Sequence, residues 1–214
     1  MPDAVARALG LSGPAHAEAR ARLETYVATL VKWQQKINLV GPATIADVWR
    51  RHIQDCAQLA RLIPPGPHRI ADLGSGAGLP GLVLAGLGLG AGQGGCLDLI
   101  ESDSRKAAFL REANRLMGCG ARVVNARIET VVPTGEERYD IVTARALAPL
   151  PKLLEMSENL LKTGGKLLFL KGRSADTELT ACRETWKMSV KKTPSESDSE
   201  GVILLIEDLE RRHG

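Results

Sequence analysis

The sequence has few of the residues that mark cross-links, metal sites or membrane spans. Its four cysteines, Cys56, Cys96, Cys119 and Cys182, include no Cys-x-x-Cys pair, so neither a zinc site nor a disulfide framework is indicated. No apolar run is long enough for a membrane helix, and the first residues lack the charged-then-apolar order of a signal peptide. We therefore expect a cytoplasmic protein with reduced cysteines, no metal and no membrane contact.

Aromatic residues and excess charge are also scarce. Only 3% of the 214 residues are Phe, Trp or Tyr, and the net charge is +3. So small a charge does not by itself indicate a nucleic-acid partner, and few aromatic side chains are present on which bases would stack. The 44% of hydrophobic residues suffice for one sizeable core.

Hydrophobic periodicity predicts a helical N-terminal extension over residues 1–66. From Pro14 to Ile37 apolar residues recur three or four positions apart, which is typical of a helix with one buried face. A second helix is predicted from about Ile45 to Ile63. It ends before the run from Pro64 to Pro67, a rigid break that we interpret as the linker into the rest of the chain.

Residues 67–214 have the pattern of an α/β unit, and we expect it to form one structural unit with the extension. Alternating strand-like and helical runs predict a parallel sheet with right-handed crossovers. The last two runs, Lys187–Lys192 and Val202–Leu209, predict an antiparallel hairpin. The other predicted strands are His68–Leu73, Leu97–Ile100, Arg122–Ala126, Tyr139–Ala144 and Lys166–Leu170, and the predicted helices are Arg105–Met117 and Leu150–Leu161.

The segment from Ile70 to Gly81 carries the strongest functional signal. An apolar strand runs into Asp72 and then into alternating glycines, Gly74, Gly76 and Gly78. Glycines at a parallel strand end let the backbone approach a ligand at the edge where open α/β folds bind theirs. The third glycine comes one position too early for the dinucleotide fingerprint Gly-x-Gly-x-x-Gly. The spacing instead resembles motif I of Rossmann-like S-adenosylmethionine methyltransferases, in which Asp72 and the glycine backbone accommodate the methionine part.

A carboxylate after the next strand also suggests a ligand that contains a nucleoside. Glu101 follows the run Leu97–Ile100, where the acidic residue of nucleotide-binding α/β folds accepts ribose hydroxyls. This position does not separate adenosylmethionine from NAD. Glu101 and Ser102 also precede a helical run, so a role at the start of that helix is an alternative. By contrast, the glycine-rich stretch Gly86–Gly95 lacks a Gly-Lys-Ser/Thr ending and is interpreted as a flexible insertion.

Several short motifs occur in a fixed order over most of the chain. They are Trp33 with Ile37-Asn38-Leu39, Arg51-His52-Ile53 with Asp55, the loop Asp72–Gly81, Glu101-Ser102 with Lys106-Ala107-Ala108-Phe109-Leu110, Thr143-Ala144-Arg145-Ala146 with Ala148-Pro149-Leu150, Gly164-Gly165 and Leu170-Lys171-Gly172. Together they resemble the bacterial ribosomal RNA small-subunit methyltransferase G family, also called glucose-inhibited division protein B. The resemblance implies a mostly parallel, seven-stranded methyltransferase sheet, S-adenosylmethionine as cofactor, and methylation of N7 of a guanine in 16S ribosomal RNA.

The resemblance also assigns cofactor contacts to residues at the strand ends. Leu79 replaces an aromatic residue that many members have, so apolar packing is retained without stacking. Ile128 stands where alanine is common. With the loop residues included, the predicted cofactor-binding residues are Asp72, Gly74, Ser75, Gly76, Gly78, Leu79, Glu101, Ser102, Ile128, Glu129 and Arg145.

The chemistry implied by the resemblance agrees with two absences. There is no Asn/Asp-Pro-Pro-Tyr/Phe motif for an exocyclic amine, and no cysteine is placed for covalent attack on cytosine C5. Guanine N7 requires neither, because its lone pair attacks the methyl group directly and in-line placement supplies most of the catalysis. We therefore assign no catalytic residue.

Clustered cations predict the RNA contacts. Arg50 and Arg51 lie in the helical extension, and Lys171 and Arg173 follow a strand on the cofactor side; cations in clusters neutralise phosphates. A solvated helix face explains Arg50 and Arg51 equally well. For His52 we expect a packed, hydrogen-bonded role. The expected partner is 16S ribosomal RNA or a small-subunit precursor, and the protein is expected to be a monomer.

Two other classes of function stay open at this stage. An NAD-dependent oxidoreductase would also use Glu101, although no proton-relay residue is found in the sequence. A non-catalytic RNA-binding protein on a methyltransferase scaffold would keep the cations and lose cofactor affinity. Binding of adenosylhomocysteine and of NAD distinguishes these classes.

Overall fold

The described part of the chain forms one seven-stranded sheet with helices on both faces. A computed structural model describes residues 1–11, 13, 16–90 and 94–212. The first residues of the predicted helix Pro14–Ile37, the middle of the stretch Gly86–Gly95, and residues 213–214 lie outside these ranges. The strands are β1 (Arg69–Leu73), β2 (Cys96–Ile100), β3 (Arg122–Val124), β4 (Tyr139–Arg145), β5 (Leu161–Lys171), β6 (Trp186–Pro194) and β7 (Val202–Arg211).

The strand order is β3-β2-β1-β4-β5-β7-β6. Strands β1 to β5 run parallel to one another, whereas β7 is antiparallel to both β5 and β6. The predicted α/β class, the parallel sheet and the closing hairpin are confirmed. In this order the carboxyl ends of β1, β2, β4 and β5 meet at one edge, which is where the predicted site residues lie.

The helices follow the apolar periodicity except in one segment. They are α1 (Asp3–Ala8), α2 (Ala17–Gln34), α3 (Asp55–Ala57), α4 (Gly81–Gly86), α5 (Ser104–Met117), α6 (Leu150–Glu158) and α7 (Ala175–Cys182). The side chain of Asp103 accepts from the backbone N–H groups of Arg105 and Lys106 and so caps α5. The cap is therefore Asp103, two residues after Glu101.

The predicted helix Ile45–Ile63 is wrong as a single element. The chain instead forms a 3₁₀ turn at Pro42–Asp47, a wide π turn at Trp49–Gln54, α3, and a 3₁₀ turn at Gln58–Leu62. The carbonyl of Arg51 accepts a hydrogen bond from the Arg145 side chain at 2.9 Å. An outside donor inserted into the backbone ladder is a common cause of such irregular turns.

The helical extension shares its core with the sheet. Leu23, Tyr26 and Leu30 of α2 are fully buried and belong to the same apolar cluster as Leu82 of α4 and Phe109 of α5. A second cluster, on the other face, lies under α6 and α7. Because folding buries these large side chains together, the extension is held by the hydrophobic effect and not only by polar contacts.

Candidate functional site

The loop after β1 has a backbone that requires glycine. Gly74 has φ +59°, and a Cβ at this position would collide with the side chain of Leu147. Gly76 is also left-handed, at φ +52°, but a Cβ there would make only an ordinary van der Waals contact with the Gly74 carbonyl. At Gly74 both conformation and room therefore exclude a side chain, whereas at Gly76 only the conformation does.

Asp72 supports this loop from beneath. Its side chain is fully buried, and its carboxylate accepts from the Thr143 hydroxyl at 2.8 Å and from the Gly81 N–H at 3.2 Å. Burial raises the pKa of Asp72 to about 6, while the hydrogen bonds from neighbouring groups act in the opposite direction. Asp72 does not line any of the clefts described below, so its position indicates a role in shaping the loop.

Glu101 joins the crest of the loop to the start of α5. Its Oε2 accepts from the Gly76 N–H at 2.8 Å, and its Oε1 accepts from the Asp103 N–H at 2.7 Å. Each carboxylate oxygen has a second lone pair, so Glu101 can still accept a hydrogen bond from a ligand. It lines a cleft even though only 7% of its surface is exposed.

Three adjoining clefts lie along the carboxyl edge of the sheet. We name them after one lining residue each: the Glu101 cleft (about 450 Å³), the His52 cleft (about 340 Å³) and the Lys171 cleft (about 220 Å³). Ala146, directly after β4, lines all three. Its φ of +51° is unusual for a residue with a Cβ, and such backbone is concentrated at functional sites.

Most of the predicted cofactor residues lie in two of these clefts. Those that line the Glu101 cleft are Gly74, Gly76, Glu101, Ser102, Ile128 and Glu129. Those that line the His52 cleft are Gly74, Ser75, Gly76, Leu79 and Arg145. Asp72 and Gly78 line neither.

Arg145 is the centre of a polar network that holds the helical extension to β4. Its guanidinium donates to Nδ1 of His52 at 3.0 Å and to the Arg51 carbonyl, and it pairs with Asp55 at 3.2 Å. Because arginine only donates, His52 must accept at Nδ1. His52 therefore carries its proton on Nε2 and donates to the Thr44 hydroxyl at 2.7 Å.

His52 has the packed, hydrogen-bonded role that the sequence predicted. Burial, followed by the positive charge of Arg145, lowers its pKa to about 4. The imidazole is neutral at physiological pH and its accepting nitrogen is engaged by Arg145. It is therefore unavailable as a proton acceptor for a substrate.

Asp55 extends the network to the loop between β6 and β7. Its Oδ1 accepts from the hydroxyls of Ser195 at 2.9 Å and Ser197 at 2.6 Å, and Gln58 accepts from the N–H of Glu196. The irregular segment 42–62, the last residue of β4 (Arg145) and the β6–β7 loop are thus joined by hydrogen bonds and an ion pair. Sequence periodicity carries no signal for this loop, and its residues were missed.

Two of the four cations predicted to contact RNA, Lys171 and Arg50, are engaged by other groups of the protein. Lys171 is only 10% exposed, pairs with Glu178 at 2.6 Å and donates to the Ala148 carbonyl, so a surface phosphate contact by Lys171 is not supported. Arg50 is engaged by Asp47 and by the Ser197 carbonyl. Arg51 is exposed, and Arg173 is 80% exposed in a pair with Glu200.

Two cations that were not assigned a role line the Glu101 cleft. Lys106 lies at its junction with the His52 cleft, and Arg127 precedes Ile128. Neither side chain has a polar partner within the described ranges. Lys106 belongs to one of the motifs quoted above, so the sequence contains a signal for it. No motif includes Arg127.

The described residues contain no cluster of three potential metal ligands. None of the helices in the described ranges has the length and apolar character needed to cross a membrane.

Comparison with known proteins identifies the family. Residues 19–201 match the family described as GidB, rRNA small subunit methyltransferase G. The chain belongs to this family. It is 50% identical over 190 residues to the ribosomal RNA small subunit methyltransferase G of Paramagnetospirillum magneticum, with 89% of both chains covered. Family membership excludes the NAD-dependent oxidoreductase and makes S-adenosylmethionine the methyl donor.

Solved structures show the same fold at low identity. A ribosomal protein L11 methylase from Lactobacillus delbrueckii subsp. bulgaricus superposes with a TM-score of 0.59 at 17% identity, covering 76% of this chain and 79% of the other. A T. thermophilus 16S rRNA N2 methyltransferase in complex with AdoMet and guanosine gives 0.51 at 16% identity, covering 77% of this chain and 40% of the other. The seven-stranded sheet is thus the Rossmann-like methyltransferase sheet.

Proposed function

We propose that this protein transfers a methyl group from S-adenosylmethionine to N7 of a guanine in 16S ribosomal RNA. The observation that carries the proposal is the meeting of three clefts at Ala146, two of them lined by the residues that the family resemblance assigns to the cofactor. A donor and an acceptor held in neighbouring clefts can be placed in line, which is the main requirement for this reaction.

The residues at the edge suit the cofactor. Glu101 offers free lone pairs to a ribose diol in its cleft, with Ser102, Ile128 and Glu129 around it. The glycine loop, with Gly74 and Gly76, separates this cleft from the His52 cleft, where the methionine part has apolar Leu79 and cationic Arg145 nearby. Asp72 holds the loop in shape. A side chain at Gly74 would collide with Leu147, which lines the same cleft, and would disturb the backbone that faces the ligand.

The reaction needs orientation and charge stabilisation more than proton transfer. The cofactor supplies an electrophilic methyl on a sulfonium; the N7 lone pair attacks it and no proton has to leave first. His52, with its accepting nitrogen engaged by Arg145, is excluded as a general base. Positive charge arrives on the purine, so carboxylates and carbonyls at the site lower the barrier.

The substrate is ribosomal RNA, presented free or in a small-subunit precursor. Arg51 and Arg173 are the exposed members of the predicted cation set and are the proposed phosphate contacts. We further propose that the protein acts as a monomer in the cytoplasm.

The deciding experiment compares 16S ribosomal RNA from cells with and without the protein. 7-Methylguanosine makes RNA cleavable at that nucleotide after borohydride and aniline treatment. One cleavage site should therefore be found only in 16S ribosomal RNA from cells that have the protein. Purified protein with S-adenosylmethionine should restore that cleavage in RNA or subunits from the deficient cells. Methylated RNA that resists cleavage would show that the wrong atom has been assigned.

A further inference from the structure

The Lys171 cleft contains a carboxylate oxygen that accepts no hydrogen bond from the described part of the chain. Asp198, in the β6–β7 loop, lines this cleft. Its Oδ1 accepts from the Glu200 N–H at 3.1 Å, and no donor among the described residues reaches Oδ2. The other carboxylate in the cleft, Asp55, is already bonded to Ser195, Ser197 and Arg145. Asp198, an exposed residue, is therefore the carboxylate in this cleft with an oxygen that no protein donor occupies.

Sheet topology places Asp198 across the cleft from Ala146. Ala146 follows β4, whereas Asp198 lies beyond β5 in the turn into β7. The cleft thus spans two inter-strand steps, about 10 Å. A purine with one edge near Ala146 and a hydrogen bond from its opposite edge bridges such a span, and a volume of about 220 Å³ holds one base.

We propose that Asp198 recognises the Watson–Crick edge of the target guanine. The inference rests on the proposed function, because it takes the base to be guanine and the reacting atom to be N7. With N7 directed to the junction at Ala146, the N1–H and the 2-amino group lie on the far edge, where both donate to a carboxylate. Adenine presents an unprotonated N1 there, which a carboxylate repels.

The same carboxylate assists the transfer itself. The N7–carbon bond forms as the sulfur–carbon bond breaks, the sulfur keeps the electron pair, and no proton moves. The purine gains a positive charge during this step, and the Asp198 carboxylate at the ring's far edge stabilises that charge. Asp198 is thus expected to affect both base selection and the single-turnover rate.

The test combines two substrates with two variants. RNA carrying the mapped target as guanosine, or as inosine that lacks the 2-amino group, is methylated in single turnover by wild type, Asp198→Ala and Asp198→Asn. Inosine should slow the wild type about tenfold or more. Asp198→Ala should be slowed on guanosine at least as much, because it loses both hydrogen bonds and the charge, and it should treat both substrates alike. Asp198→Asn keeps an acceptor for the Glu200 N–H and so preserves the turn while removing the charge. Comparing it with Asp198→Ala therefore distinguishes an effect of the charge from an effect of a disrupted turn.

Glu196→Gln is the matched control, because Glu196 lies in the same loop but pairs with Arg61 and does not line the cleft. It should behave as wild type on both substrates. If Asp198→Ala remains as sensitive to inosine as wild type, or if Glu196→Gln loses as much rate, the assignment of Asp198 is overturned. A wild-type protein that binds no adenosylhomocysteine or makes no 7-methylguanosine would instead refute the proposed function.

Discussion

At the scale of single residues, Glu101 shows how one carboxylate can shape a loop and still face a ligand. It holds the amides of Gly76 and Asp103 and keeps spare lone pairs toward its cleft. Glu101→Ala should weaken adenosylhomocysteine binding by about 1.5 to 3 kcal/mol, the cost of losing a hydrogen bond to a charged group. Calorimetry measures this directly.

The control for this variant is Glu184→Gln, an exposed carboxylate that lines none of the three clefts. It should bind adenosylhomocysteine with wild-type affinity. If the Glu101→Ala protein keeps its circular-dichroism spectrum and its affinity for adenosylhomocysteine, Glu101 is not part of the cofactor site.

Gly74 and Gly118 form a natural pair for separating backbone strain from crowding. Their φ angles are +59° and +64°, yet a Cβ at Gly74 meets Leu147 and one at Gly118 meets nothing within 4 Å. Left-handed strain should cost alanine about 1 to 2 kcal/mol of stability at either position, and Gly74→Ala should lose more because its Cβ also collides with Leu147. Only Gly74→Ala should also weaken adenosylhomocysteine binding. Equal affinities in the two variants, measured by titration, would show that the loop does not contact the cofactor.

At the scale of elements, the irregular segment 42–62 is attached to β4 through His52, whose pKa is lowered. The folded-state pKa of His52 is about 4, below its ordinary 6.5, so between these values the unfolded chain binds the additional proton. The stability that His52 contributes is therefore complete above about pH 6.5 and is lost as the pH falls toward 4.

Asp72 acts with the opposite sign over much of this range. Its folded-state pKa is raised to about 6, so its contribution improves as the pH falls. The informative quantity is therefore the difference between wild type and His52→Gln. Between pH 7 and pH 5, the free energy of unfolding should fall by about 2 kcal/mol more in wild type than in the variant. Urea denaturation at both pH values provides the numbers, with His68→Gln as the control. Parallel pH profiles for wild type and His52→Gln would contradict this account.

The same segment shows where prediction from the sequence fails. Apolar spacing correctly located α2, α5 and the strands, because their buried faces repeat with helical or strand period. The segment after Ile45 has helical spacing too, but its backbone is shaped by Arg145, which is 94 positions away in the chain. Local periodicity reports only residues that are close in the sequence, so it cannot indicate a donor this far away. For the same reason it does not indicate that Glu178 pairs with Lys171.

At the scale of the whole molecule, the net charge of +3 gives little attraction for RNA, so the positions of the cations matter more than their number. Replacing Arg51 and Arg173 with alanine should weaken RNA binding. It should also reduce the slope of log K against log salt by about 1.4 to 1.8, the value for two phosphate contacts. Adenosylhomocysteine affinity should stay unchanged.

The matched control for charge is the double variant Arg111→Ala and Arg115→Ala, in the second half of α5, toward the opposite edge of the sheet. It removes the same charge and should leave the slope close to that of wild type. Equal loss of slope in both double variants, measured by fluorescence anisotropy over a salt series, would mean that RNA senses only the overall charge.

The contact between Tyr26 and the cofactor loop limits how this protein can be recombined. The Tyr26 hydroxyl, fully buried on α2, donates to the Ala77 carbonyl at 2.6 Å, so α2 forms part of the wall behind the glycine loop. A chimera that joins residues 1–66 of one relative to residues 67–214 of another takes position 26 from the first protein and position 77 from the second. Such hybrids should be functional only when the incoming α2 supplies a donor that reaches this backbone carbonyl, and evolution is subject to the same restriction.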